Sequence, residues 1–307
     1  MKGAPFWVWG LLGVAVIGVS SAGAILQHLD EIPPIMRASW RLQITALMLM
    51  PGFLIQWKSV DKNLLKKSKS LTILGLSSIA LAAHFATWVA SLDYTSLSHS
   101  LLFVTAHPLV IVIGISIFIR RPSKFEVYGA LLGFIGAAIT LIDIESDSDV
   151  TLFGDMLAFA GAVTVVGYIV AGRVLREWMP VFIYAFPVTA IASLILIPVS
   201  IFMGESESAF GWVESNLLGW FILLAFIAGI LGHTGLNTVL KYVHPLVVSV
   251  AVTLEPVIGS FIGWLFFSDD VPGVWTVLGG PLLIAGIVMV IFAGRGEQSE
   301  ETLATID

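Results

Sequence analysis

The chain is expected to be an all-α membrane protein of ten transmembrane helices, built as two inverted-topology five-helix repeats with both termini cytoplasmic. Composition is the first reason. Apolar residues make up 57% of the 307 and charged residues only 12%, with a mean hydropathy of +0.97; soluble domains carry about 25% charged residues. The second reason is recurrence of apolar stretches, at 5–26, 34–56, 70–92, 97–119, 125–142, 154–172, 180–203, 217–239, 245–267 and 272–294. About 20 apolar residues, rising 1.5 Å each, cross the roughly 30 Å hydrocarbon layer. The third is charge. Outside these stretches the basic residues are Lys2, Lys58, Lys62, Lys66, Lys67, Lys69, Arg120, Arg121, Lys124, Arg173, Arg176, Lys241 and Arg295, all at the termini or in alternate connections. The other connections carry acid: Asp30 and Glu31; Asp93; Asp143, Glu145, Asp147 and Asp149; Glu205, Glu207 and Glu214; Asp269 and Asp270. Short loops rich in Lys and Arg stay cytoplasmic, which orients the chain.

Taken in order, the first stretch is too long for a signal-peptide core and lacks a small-residue cleavage site, so it reads as an uncleaved anchor. The second carries Arg37 and Arg41, four residues apart on one helical face. Arg37 is expected near the outer interface, where it either snorkels to headgroups or faces a vestibule; Arg41 sits one turn deeper, capping carbonyls or offering a fixed positive charge. The third stretch presents His84 and Trp88 on one face, and the fourth presents His99, Phe103 and His107, followed by Pro108. The fifth is spaced by Gly129 and Gly136. The sixth and seventh hold Tyr168 and Tyr184, the eighth His233 and Asn237 on one face, the ninth Glu255-Pro256, and the tenth Gly279 and Gly286.

The two halves repeat. Tyr94, Thr105 and Pro108 match Tyr242, Thr253 and Pro256 at one offset; Gly129 and Gly136 match Gly279 and Gly286; Gly18, Ala22 and Gly23 match Gly167, Ala171 and Gly172. This gives a first repeat over 5–143, a second over 152–294, and a short cytoplasmic tail over 295–307. Five helices per copy makes the second copy enter from the opposite side, the arrangement that lets one midplane site open to either face.

An ionisable side chain at the bilayer centre costs roughly 2.5–3.5 kcal/mol, so each one needs a partner or a task. Candidate substrate contacts are Arg41, His84, Trp88, Phe103, His107, Tyr168, His233, Asn237 and Glu255. Pro108 and Pro256 remove backbone donors and are expected to break the fourth and ninth helices beside His107 and Glu255. Matching broken helices point to a transport site. With no cysteine, disulfides and thiolate metal sites are excluded. No nucleotide-binding motif of the type G-x-x-x-x-G-K-[ST] and no H-E-x-x-H occurs, so no cofactor or metal is expected.

Several short motifs carry a resemblance in their order and spacing. They are Ala38-Ser39-Trp40-Arg41-Leu42, Tyr94-Thr95-Ser96, Gly154-Asp155, Glu255-Pro256 and the glycine-spaced fifth and tenth stretches. Over residues 5–294 the chain resembles the EamA-type drug/metabolite transporter superfamily; His107 and His233 depart from many of its members. The resemblance implies a secondary transporter, exporter or exchanger, with a central cavity lined from both halves. Expected partners are a small-molecule substrate (an amino acid or related zwitterion), the lipid bilayer of a cell membrane and a coupling proton, with no nucleic acid. The expected assembly is a monomer or homodimer. The alternatives are an intramembrane enzyme using His and Glu, and a multidrug or organic-solute exporter of the same fold.

Overall fold

The computed structural model describes residues 4–95, 97–140, 151–205, 208–213, 216–266 and 273–304. Lys2, the acids at 143–149, Glu207, Glu214, Asp269, Asp270 and Ser96 lie outside these. The first half comprises α1 (Phe6–Ser20), α2 (Ala22–Gln27), α3 (Pro34–Gln56), α4 (Lys62–Leu65), α5 (Ser68–Ser91), α6 (Leu97–Val104), α7 (His107–Phe118) and α8 (Lys124–Thr140). The second comprises α9 (Leu152–Arg176), α10 (Val181–Phe202), α11 (Leu218–Leu224), a π-helical segment (Ala225–Thr234), α12 (Gly235–Val239), α13 (Pro245–Val252), α14 (Glu255–Phe266) and α15 (Val274–Ala304). Among the described residues, eight helical stretches are long and apolar enough to cross a membrane: 6–27, 34–56, 68–91, 99–118, 152–176, 181–202, 218–239 and 245–266. Two are shorter, α8 with 17 residues and the apolar part of α15, Val277–Ala293.

The proline breaks fall where the chemistry places them. Pro108 cannot donate to the carbonyl of Val104, nor Pro256 to that of Val252, and each ring clashes with that carbonyl. The helix therefore stops at Val104 and at Val252, and a new one begins with the proline in its first turn, where the missing N–H costs nothing. The halves correspond residue for residue: α6 maps onto α13 and α7 onto α14 at an offset of 148 (252 − 104 and 266 − 118). By contrast Pro51, Pro187, Pro198 and Pro281 lie inside continuous helices.

Packing shows the relation between the copies. A Cβ on Gly129 would lie 2.9 Å from the carbonyl of Gly286, and one on Gly286 2.7 Å from the carbonyl of Gly129. Likewise Gly136 and Gly279 meet reciprocally, at 3.0 and 2.5 Å. The first glycine of α8 thus meets the second of α15, and the second meets the first. Only antiparallel helices related by a two-fold operation do this with matched sequence. The same exchange relates the other extensive interfaces. The α3–α10 interface maps onto itself, and α5 on α9 maps onto the π segment and α12 on α1.

The α3–α10 pair is tied at both ends. Glu205, just past α10, accepts from the backbone N–H groups of Ile35 and Met36 at 2.9 and 2.8 Å. At the opposite end Gln56, the last residue of α3, accepts from the N–H of Phe182 at 2.9 Å. Each helix begins after a proline, Pro33 or Pro180, whose side chain gives no cap, so the partner helix satisfies donors left bare by the first turn. Residues 208–213 lie along α3: Trp40 Nε1 donates to the Ser208 carbonyl and Gln43 Nε2 to that of Ala209, at 3.0 and 2.9 Å. Trp212 Nε1 returns a bond to Gln43 Oε1 at 2.7 Å. Non-helical backbone beside a transmembrane helix is tolerated where the protein pairs its polar groups in this way.

The Gly279→Ala substitution places its methyl 2.5 Å from the backbone oxygen of Gly136 and 2.4 Å from Thr140 Cγ2. It is expected to destabilise the protein by about 1–3 kcal/mol. Gly280→Ala, one residue on and facing open space, is expected to be neutral or stabilising by up to ~1 kcal/mol. Thermal unfolding of the two variants in detergent checks the contrast.

Candidate functional site

A cavity sits where the broken helices meet. It is lined by His84 and Trp88 of α5, Val104 of α6, His107 of α7, Tyr168 of α9, His233 of the π segment, Asn237 of α12, Val252 of α13 and Glu255 of α14, with Val19, Val165 and other apolar residues. Its open volume is about 50 Å³, room for a few waters. A side lobe of about 10 Å³ shares Tyr168, His233 and Asn237 with it and is lined further by Arg41, Thr45, Phe85, Thr189 and Thr234. Both spaces are too small for a metabolite, so this conformation is closed around the site.

The lining is built from repeat counterparts. At offsets of 148 or 149, Val19 matches Tyr168, His84 matches His233, Trp88 matches Asn237, Val104 matches Val252 and His107 matches Glu255. The His84 and His233 rings lie 6.5 Å apart, so the two copies meet here. His84 Nδ1 donates to the Gly161 carbonyl at 2.9 Å, which turns Nε2 to the remaining face of the ring. The same ring stacks on Trp88, with centroids 5.9 Å apart and planes 10° from parallel. His233 also lies against Phe85 and Tyr168, at 5.3 and 6.2 Å. Asn237 Nδ2 donates to the Tyr168 hydroxyl, so one bond spans the partition between cavity and lobe. Tyr184, behind it, shares a hydrogen bond with Ser77 at 2.7 Å and donates to the Tyr168 carbonyl at 3.3 Å.

What the site leaves unpaired is more telling. Arg41 is 1% exposed, yet Nε, Nη1 and Nη2 have no protein hydrogen-bond partner. Its guanidinium lies 4.4 Å from the centroid of the Phe85 ring, a cation–π contact. Trp88 Nε1, a donor, and Asn237 Oδ1, an acceptor, are likewise buried without partners. The Glu255 carboxylate, 7% exposed, is met by the Arg41 charge and by no hydrogen bond among the described residues. Buried polar groups are normally satisfied, and a buried unpaired charge is costly. Four incompletely satisfied polar groups, Arg41, Trp88, Asn237 and Glu255, thus lie together at one place.

The candidate residues are distributed unequally. His84, Trp88, His107, Tyr168, His233, Asn237 and Glu255 share the cavity, and Arg41 lies in the adjoining lobe. Phe103 lines neither space; it is half-buried, its ring 6.4 Å from that of His99. Pro108 and Pro256 begin the second halves of their broken helices. Arg37 does not snorkel. It is buried and bonded to the Leu26 carbonyl at 3.1 Å and to Asp93 at 2.7 Å, because the chain turning back after α5 brings Asp93 over it. Nor does Arg41 cap any carbonyl. Sequence reasoning passed over Thr45, Thr189 and Thr234, which looked like ordinary helix-lining residues, and the π turn that carries His233 has no residue signature.

A family model matches the chain twice, at residues 5–142 and 152–292, that of the EamA-like transporter family. The chain belongs to the EamA-like transporter family. It is thereby placed among multi-pass membrane transporters of small solutes. A solved structure titled only as a crystal structure of a protein shares the fold, at a TM-score of 0.74 and 15% identity, over 95% of this chain and 99% of that one. No curated protein matches the sequence. The two family matches coincide with the repeats whose glycines meet across α8 and α15.

Removing the Arg41 and Glu255 ionisable groups together should stabilise this EamA-like chain. The double variant Arg41→Met with Glu255→Gln is expected to gain about 1–4 kcal/mol, a rise of a few degrees in Tm for a chain of this size. A fall in Tm on thermal unfolding would show that the two charges hold the ligand-free fold together.

Proposed function

We propose that this EamA-like protein is a secondary active transporter, an exporter or exchanger of a small zwitterionic metabolite such as an amino acid, working by alternating access. The observation that carries this is the buried Arg41 guanidinium with all three nitrogens unpaired, in reach of Glu255 and set beside the meeting point of two broken helices. An anionic group docked on Arg41 and a cationic group near Glu255 would satisfy both charges at once. Trp88 Nε1 and Asn237 Oδ1 would take one further acceptor and one further donor from the solute. The apolar remainder of the lining suits a compact hydrocarbon body.

In this reading the ten apolar stretches all cross the membrane, with α8 and the apolar part of α15 as its short spans. The Lys- and Arg-rich connections face the cytoplasm with both termini, and the membrane is the cell membrane. The inverted copies supply two conformations interconverted by exchanging the roles of the repeats about a two-fold axis, so a site on that axis serves both faces. Glu255, with His84, His107 and His233 around it, is the group to carry a coupling proton, since histidine and carboxyl side chains are the usual members of intramembrane proton relays.

Purified protein reconstituted into liposomes is expected to show saturable counterflow of a labelled amino acid from a mixed set. Arg41→Ala and Glu255→Gln should each lower that flux at least tenfold. Undiminished flux in both variants would remove these residues from the site, and product formation in detergent without any gradient would favour an enzyme.

A further inference from the structure

The broken spans hold a second asymmetry, away from the ligand-facing atoms. Residues 97–118 and 245–266 run antiparallel, and each is cut into two short helices. At one end of the molecule α7 packs against α13; at the other α6 packs against α14. The first is the basic end, where α7 leads to Arg120 and α13 follows Lys241; the second is the acidic end, where α6 follows Asp93. Exchanging the repeats converts one contact into the other, because α6 corresponds to α13 and α7 to α14. In a transporter with a dyad in the membrane plane, these two contacts are the two gates. The difference in stability between inward- and outward-facing states then arises only where counterpart residues differ.

Most counterparts along these spans differ, and one differing pair carries a side-chain hydrogen bond across the gate. Across the basic-end contact, His107 Nδ1 and Ser249 Oγ share a hydrogen bond at 2.5 Å, between fully buried side chains. The counterparts at an offset of 148 are Glu255 for His107 and Leu101 for Ser249. Leu101 is buried and has no polar atom to offer, and Glu255 makes no hydrogen bond among the described residues. Among the described residues, the α7–α13 contact therefore carries a side-chain bond that its two-fold counterpart, α6–α14, lacks. We propose that the His107–Ser249 hydrogen bond is the latch of the basic-end gate, and that Leu101 leaves the α6–α14 contact without its counterpart, so the resting protein opens toward its acidic end. The inference rests on the alternating-access reading above; under the orientation proposed there, the resting protein faces outward.

The chain has no cysteine, so Val165→Cys, in the cavity wall, supplies a single thiol. A membrane-impermeant maleimide is applied to that variant from each side of sealed vesicles of known orientation. Labelling is expected chiefly from the acidic end. Adding Ser249→Ala should raise labelling from the basic end about three- to tenfold, the population change that follows from one lost neutral hydrogen bond. Ser249→Thr, which keeps the hydroxyl, should retain the original pattern and so separates the latch from a folding defect. Leu101→Ser, which supplies the missing acceptor and donor opposite Glu255, should lower labelling from the acidic end. Unchanged labelling in both Ser249→Ala and Leu101→Ser would overturn the latch while leaving alternating access intact. A thiol reached equally from both ends at once in every variant would overturn alternating access itself.

Discussion

The antiparallel contact of α8 with α15 is the constraint from which the architecture follows. Gly129 and Gly136 meet Gly286 and Gly279 so closely that no side chain larger than hydrogen fits without movement of backbone. Lipid supplies no hydrophobic drive to bring helices together, so close approach of small residues is what holds such a pair. With these two helices locked, each repeat hangs from one side of a common seam, and every other interface must occur twice or lie on the dyad. The cavity lies on it. That is why its walls are counterpart residues, His84 beside His233 and Trp88 opposite Asn237 in the register.

Two-fold geometry and one-fold chemistry meet at that place. A symmetric lining of identical residues could not tell one end of a solute from the other. Here the register is kept while the chemistry is divided: a donor in Trp88 against an acceptor in Asn237, a base in His107 against an acid in Glu255, and an arginine on α3 alone. Among the described residues, five of the six buried side-chain atoms left unpaired belong to this divided surface, three on Arg41 and one each on Trp88 and Asn237. Away from it, buried hydroxyls bond back to their own helix, as those of Ser20, Ser78 and Ser193 do.

Much of this was legible in the sequence because it rests on single-residue physics. Proline cannot donate, so His107-Pro108 and Glu255-Pro256 announced two helix breaks, and the structure places them two or three residues ahead of each proline. Paired glycines at equal spacing announced the α8–α15 seam. The family resemblance, drawn from the order of short motifs, agrees with the two-part family match. What was hidden depends on tertiary geometry. Arg37 and Arg41 look alike in sequence, one helical turn apart, yet Asp93 reaches one and no protein atom pairs with the other. Phe103 shares a helical face with His107, but the break between them turns it away from the cavity. The π segment follows from how α1 presses on that span, with Gly18 and Gly232 in mutual contact, and no local residue preference encodes it.

The reciprocal capping of α3 and α10 has a mechanical consequence. With Glu205 fastening one end and Gln56 the other, neither helix can slide along or tilt from its neighbour without stripping backbone donors bare in a medium that offers nothing in exchange. The pair is thus a stiff strut, and it transmits force rather than absorbing it. Deformation is left to the jointed spans beside it, whose joints at residues 105–106 and 253–254 already lack continuous helical bonding. Rigidity in one pair of rods thereby decides which other pair must bend.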